Sequence, residues 1–187
     1  MKKIMVVEDE SIVRLDIVEM LKAAKYGIAS AVSNGEKAIE ATEQVKPDLI
    51  IMDIKMPKLN GLKASKIIGK KYEDIPILIL TAYSQSEFVE EAKQPNIVGY
   101  IVKPISESQL LPAVEIALAQ SDKMKTLKNE IEQSYIEIEN RKVIEKAKGH
   151  LMTQLKISEN EAYQKLRKLS MDNQVGIDSV ARKVISQ

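Results

Sequence analysis

Cysteine is absent from this chain of 187 residues. A disulfide framework and a thiolate metal site are therefore excluded, which fits a reducing, cytoplasmic setting. Tryptophan is also absent, phenylalanine occurs once and tyrosine six times, so ring surfaces for stacking on bases are scarce. One histidine, His150, is too few for a histidine metal cluster. No apolar run approaches the ~18 residues that would span a bilayer, so no membrane partner is expected. The opening Met1-Lys-Lys-Ile-Met-Val-Val-Glu-Asp-Glu10 reaches acids too early for a secretory signal. Glycine is sparse, with none between Gly99 and Gly149.

What is present is ample for packed cores: 44% of residues are apolar, and the length suits one or two small domains. The net charge of +1 hides an asymmetry. Residues 1–120 carry 15 Lys or Arg against 17 Asp or Glu, whereas residues 141–187 carry 10 against 5, a net of +5. A basic tail suggests a polyanionic partner.

Short apolar runs alternate with helical patterns over the first 120 residues. The expected strands are 3–7, 28–32, 48–53, 76–81 and 98–102. The expected helices are 11–25, 35–45, 60–70, 85–93 and one from 106 onward. Five such units imply an α/β fold, a doubly wound parallel sheet with helices on both faces. Asn34-Gly35, Pro47, Pro57, Asn60-Gly61, Pro76 and Pro104 mark the turns. Beyond 106 no strand signal returns. Met124, Leu127, Ile131, Ser134 and Ile138 follow 3-4 spacing, which predicts a coiled-coil seam over about 121–138 on a helix running to about 140. Three helices follow, at about 136–154, 159–171 and 177–186. Ser158 and Glu161 form a capping box for the second, and Tyr163 reads as core.

Chemistry gathers at the ends of the apolar runs. Glu8-Asp9 follow Ile4–Val7, Asp53 ends Leu49–Met52, Thr81 follows Ile77–Leu80, and Lys103 follows Tyr100–Val102. In a parallel sheet those groups converge at the carboxyl edge. Acids there can hold a divalent metal, one carboxylate can attack a phosphoryl group, and the hydroxyl and lysine can bind the phosphate. Asp48 is at the opposite end of its strand and is set aside. A phosphatase reading is disfavoured because Lys55 occupies the place where such enzymes need a second acid.

Glu8-Asp9, Asp53 with Met56-Pro57, Asn60-Gly61, Thr81-Ala82, Tyr100 and Lys103-Pro104 together make residues 1–120 resemble the receiver domain of two-component response regulators, a five-stranded flavodoxin-like fold and not an enzyme. The resemblance implies that Asp53 accepts a phosphoryl group from a sensor histidine kinase. It implies Mg²⁺ between Glu8, Asp9, Asp53 and the backbone carbonyl of Lys55. Thr81 and Lys103 would bind the phosphoryl group, Tyr100 would change rotamer as Thr81 moves, and Pro104 would follow a cis bond. Glu8 departs from the family's more usual aspartate by one methylene.

Arg141–Met152, Ser158–Tyr163, Leu166-Arg167 and Val180-Ala181 make residues from about 127 to 187, the preceding coiled helix included, resemble the ANTAR family, named for transcription antitermination regulators, with 139–187 as its RNA-binding domain. Ala147, Gly149 and Ala162 read as small residues that let helices pack closely. The resemblance implies binding of stem-loop RNA in nascent transcripts, with Arg141, Lys142, Lys146, Lys148, Arg167 and Lys168 as the candidate contacts. The segment Glu139–Met171 is similar to regulators of ethanolamine utilisation, and the apolar seam of Met124, Leu127, Ile131 and Ile138 predicts a homodimer formed on phosphorylation. The alternatives are a DNA-binding regulator, for which no polar recognition helix is evident, and a tail that only dimerises.

Overall fold

The computed structural model describes residues 1–82 and 96–186. The helix expected over 85–93 lies outside the described residues. Two compact units divide the chain, Met1–Lys125 and Thr126–Gln187.

The first unit runs β1 (Lys3–Val7), α1 (Ser11–Ala23), β2 (Gly27–Val32), α2 (Gly35–Val45), β3 (Leu49–Asp53), α3 (Gly61–Lys71), β4 (Ile77–Thr81), β5 (Ile97–Val102) and the start of α4 (Glu107–Leu155). The strands form one parallel sheet in the order β2-β1-β3-β4-β5, the flavodoxin-like arrangement, and each strand lies within a residue of its expected bounds. Successive side chains in a strand point to opposite faces, so the continuous apolar runs feed two cores. Ile4, Val6, Leu49, Ile51, Leu78 and Leu80 pack with α1 and with Leu110, Val114 and Ala117 of α4. Met5, Val7, Ile50, Met52, Ile77 and Ile79 pack with Ala38 of α2 and with Leu62 and Ile68 of α3.

The two Asn-Gly pairs are helix starts rather than free turns. Asn34 and Asn60 are N-caps whose side chains accept from the Lys37 and Lys63 amides at 3.0 and 2.8 Å, which satisfies donors the first helical turn leaves open. Gly61 has a further reason to be glycine. A Cβ there would sit 2.0 Å from the Asp53 carbonyl oxygen, so α3 can begin hard against the end of β3 only without a side chain.

In the second unit, α4 continues to Leu155, followed by α5 (Glu159–Asn173) and α6 (Ile177–Ile185). The sequence patterns read as one helix ending near 140 and another starting near 136; the structure has a single helix across both. Nothing between Ala113 and Lys148 is a proline or glycine, so no residue there ends a helix. Pro112 lies inside α4 near its start and removes one backbone donor without ending it. The break at 156–158 and the Ser158–Glu161 capping box are present.

Among the described residues, six form the buried core of this unit: Ala147, Leu151, Ala162, Leu166, Val180 and Ala181. Tyr163 corrects its expected place and is 40% exposed, because Ala162 and Leu166, one turn apart, take the inward face of α5. Gly149 is corrected too. Ala147 and Ala162 do pack between helices, but a Cβ at Gly149 would meet nothing within 4 Å.

Candidate functional site

The sheet order reverses direction between β1 and β3, and ligands of open α/β folds bind at such a point, outside the carboxyl ends of the strands. There the structure brings together most of the residues expected at the sheet edge. Carboxylate oxygens of Glu8, Asp9 and Asp53 all lie within 4.8 Å of one another. Lys103, at the end of β5, places its Nζ 2.8 Å from Glu8 Oε2 and 3.0 Å from Asp53 Oδ2. Asp9, Asp53, Lys55, Thr81 and Lys103 line one cleft. Thr81 is buried, and its carbonyl accepts from the Lys103 amide at 2.8 Å, fixing β4 and β5 in register at the site. The Lys103–Pro104 peptide is cis. Asp48 faces the other edge and accepts from the Lys3 amide at 2.7 Å.

Burial governs the electrostatics. It raises the carboxyls of Glu8 and Asp53 above the usual carboxylate range, and Lys103 only partly offsets it. The charge of Asp53 raises Glu8 further, and that of Asp9 raises Asp53. Burial alone would lower Lys103, but its bonds to Glu8 and Asp53 outweigh that and raise it. Three crowded acids against one ammonium make a site that gains from added positive charge. The all-oxygen donor set suits a hard divalent cation.

Sequence reasoning missed one support and the physical reason for another. Arg14, on α1, donates through Nη1 to the carbonyl oxygens of both Glu8 and Asp9 and so pins the backbone that carries the acid pair. Gly61 is the other, through its approach to Asp53. An arginine one turn into the helix after an acid pair is the only signal of the first. Tyr100 lies on β5 beside this edge with its ring turned outward, 67% exposed.

The candidate contacts of the helical unit differ in exposure. Arg141, Lys142, Lys146, Arg167 and Lys168 are exposed. Lys148 departs from the expectation of an exposed cation. It is only 8% exposed, and its Nζ lies 2.8 Å from Glu145 and 2.6 Å from Glu159. Those two carboxylates raise it and tie α4 to the start of α5. Arg182 on α6 went unremarked in the sequence; its Nη2 donates to Asn140 Oδ1 at 3.1 Å. His150 is half-buried. None of the described helices is long and apolar enough to cross a membrane.

Comparison with known proteins matches residues 4–115 to the response regulator receiver domain and residues 136–185 to the ANTAR domain. The transcriptional regulatory protein PdtaR of Mycobacterium tuberculosis (strain ATCC 25618 / H37Rv) is 36% identical over 184 residues, 98% of this chain and 89% of its own. The chemotaxis protein CheY of Thermotoga maritima is 33% identical over 113 residues, 60% of this chain and 94% of its own. Among solved structures, the chemotaxis response regulator CheY4 of Vibrio cholerae superposes with a TM-score of 0.57 at 29% identity, covering 62% of this chain and 97% of that one.

Proposed function

Because this chain belongs to the response regulators, with a receiver domain followed by an ANTAR domain, we propose that phosphorylation of Asp53 switches on stem-loop RNA binding by its helical unit, and that the bound RNA escapes transcription termination. The family regulates and is not enzymatic. The observation that carries the reading is the buried Asp53 carboxylate, shared with Lys103 and crowded by Glu8 and Asp9 at the sheet's switch point.

An Oδ atom of Asp53 attacks the phosphorus of a phosphohistidine on a sensor histidine kinase. The O–P bond forms as the P–N bond to the imidazole breaks. Glu8, Asp9, Asp53 and the Lys55 carbonyl would hold Mg²⁺, which when bound neutralises the charge that otherwise keeps phosphate from carboxylate. Lys103 leaves its pairing with Asp53 Oδ2 for a phosphoryl oxygen, a charge-assisted bond. Thr81 donates its hydroxyl to another oxygen, and Tyr100 leaves its outward position as Thr81 moves.

The output reading rests on charge and on the seam. Residues 1–120 form the phosphoacceptor part, 121–138 the dimerisation helix and 139–187 the RNA-binding part. Met124, Leu127, Ile131 and Ile138 all lie exposed along one stripe of α4, Ile131 at 57%. A stripe that apolar is covered by a second copy in a coiled coil. Arg141, Lys142, Lys146, Arg167 and Lys168 supply phosphate contacts, and sequence is read from unpaired loop bases. The site of action is the cytoplasm, where nascent transcripts are.

The test is phosphorylation by a small phosphodonor followed by intact-mass measurement and sedimentation. Phosphoryl on Asp53, a doubled mass and tighter stem-loop binding support the reading. Stronger binding to duplex DNA than to stem-loop RNA at matched salt would overturn the output assignment.

A further inference from the structure

Gly149 stands inside α4, six residues before its end, exposed. Glycine is the least favourable residue for a helix interior apart from proline, so a reason for it is to be sought. Packing within the chain gives none, since a Cβ there would meet nothing within 4 Å. Backbone conformation gives none either, since no described glycine has positive φ. The contrast is with Gly61, whose missing side chain makes room for the Asp53 carbonyl. At Gly149 the room opens outward.

Its neighbours on the surface tell what that room suits. Residues 142, 146, 149 and 153 follow 4-3-4 spacing and share one helix face. Lys142 and Lys146 are exposed on it, a like-charged i,i+4 pair that costs the isolated helix stability. Thr153 Oγ1 donates to the Gly149 carbonyl at 2.9 Å, so a hydroxyl oxygen also lies at this spot. One carboxylate, Glu139, bonds Lys142 at 2.7 Å and Lys146 adds to the positive charge beside it, so the face keeps an excess of cations. On the other side of α4, Lys148 is consumed by Glu145 and Glu159.

We propose that the RNA backbone docks against α4 at Gly149, where the missing side chain lets phosphates come within reach of Lys142 and Lys146. This deepens the RNA-binding reading and rests on it. The charge of the face selects a polyanion over a second copy of the chain, which would bring lysines against lysines.

The test uses the full chain, treated with a small phosphodonor, and a labelled stem-loop RNA pool with a randomised loop. Gly149→Ala and Gly149→Gln are compared with wild type and with the Lys142→Ala/Lys146→Ala double variant. Both glycine variants should raise the melting temperature of the helical unit, by ~4 °C, because each is a better helix former. Gly149→Gln should nevertheless bind roughly tenfold or more weakly, the scale of a lost contact to a charged group, with a shallower salt dependence; Gly149→Ala should fall between. Unchanged affinity in Gly149→Gln, while the double lysine variant binds poorly, would overturn the inference and leave RNA binding standing. A melting temperature that falls in both glycine variants would assign Gly149 to the fold instead. A change in sedimenting mass without a change in affinity would assign the face to a second copy. Failure of the wild-type protein to bind the pool would sink the RNA reading itself.

Discussion

In the sheet-bearing unit charge is buried and converges, while in the helical unit charge is exposed, Lys148 excepted. Glu8, Asp53 and Thr81 are buried at one sheet edge, held there by two apolar cores that cover both faces of five strands. The helical unit has six buried core residues and keeps its cations in water. Removing charge from solvent is costly unless it is paired, and only a large core can hold such a site together. Burial is what gives the first unit its poised carboxylates. The second unit needs the reverse, because a phosphate contact is made by a cation that is free to meet it. The chemistry of one unit thus depends on strict placement and that of the other on availability.

Asp53→Asn should break the contrast most completely. It removes the proposed nucleophile, and no phosphoryl adduct should form with a small phosphodonor; intact-mass measurement checks this, and a full adduct on the variant would refute the assignment. Next in size, Leu166→Ala should destabilise the helical unit by about 2–5 kcal/mol, the range for a buried leucine lost from a core. With so few core residues that unit should unfold near room temperature while the receiver's calorimetric transition stays in place.

A smaller effect concerns the buried acids. In metal-free protein, Glu8 and Asp53 have folded values raised above their unfolded ones. Their contribution to stability is therefore full below the ordinary carboxylate range near pH 4 and is lost as pH rises through the raised values. Acidifying from neutral pH should favour the wild-type receiver relative to a Glu8→Gln/Asp53→Asn variant, read as the difference in melting temperature. Mg²⁺ at neutral pH should stabilise the wild type, by ~2.7 kcal/mol at a hundredfold excess over its dissociation constant, and should leave the double variant unmoved. Smallest of all, Lys142→Ala should reduce the slope of log affinity against log salt by about one without shifting the melting curve. Lys148→Ala should do the opposite, lowering the melting temperature with little change in that slope.

The two units also differ in how much of them could be read before the fold was known. Asp53, Lys103 and the Glu8-Asp9 pair each end or follow an apolar run, and a parallel sheet aligns run ends, so position along the chain translated directly into position in space. Arg14 escaped, and Gly61 was legible only as a turn and motif residue, because their roles are toward backbone carbonyls, which no side-chain pattern reveals. In the helical unit, the capping box at Ser158 was legible since it is a local motif. The continuous α4 was not, because a seam pattern and a core pattern overlap near 136–140 and look like two helices. Lys148 could not be told from Lys146 by type or spacing alone; only the approach of Glu159 across the helix pair buries one and leaves the other in water. Tyr163 and Gly149 failed for the same reason, since which side of a helix faces its neighbour is decided by partners distant in sequence.

In the proposed function, phosphoryl chemistry at the buried site governs RNA binding at the exposed one. The most direct measurement of this is the affinity for stem-loop RNA of wild-type and Asp53→Asn protein, each with and without a small phosphodonor and Mg²⁺. The account predicts tighter binding on treatment of the wild type and no response in Asp53→Asn. Equal affinities in all four samples, or an equal response in the variant, would contradict it.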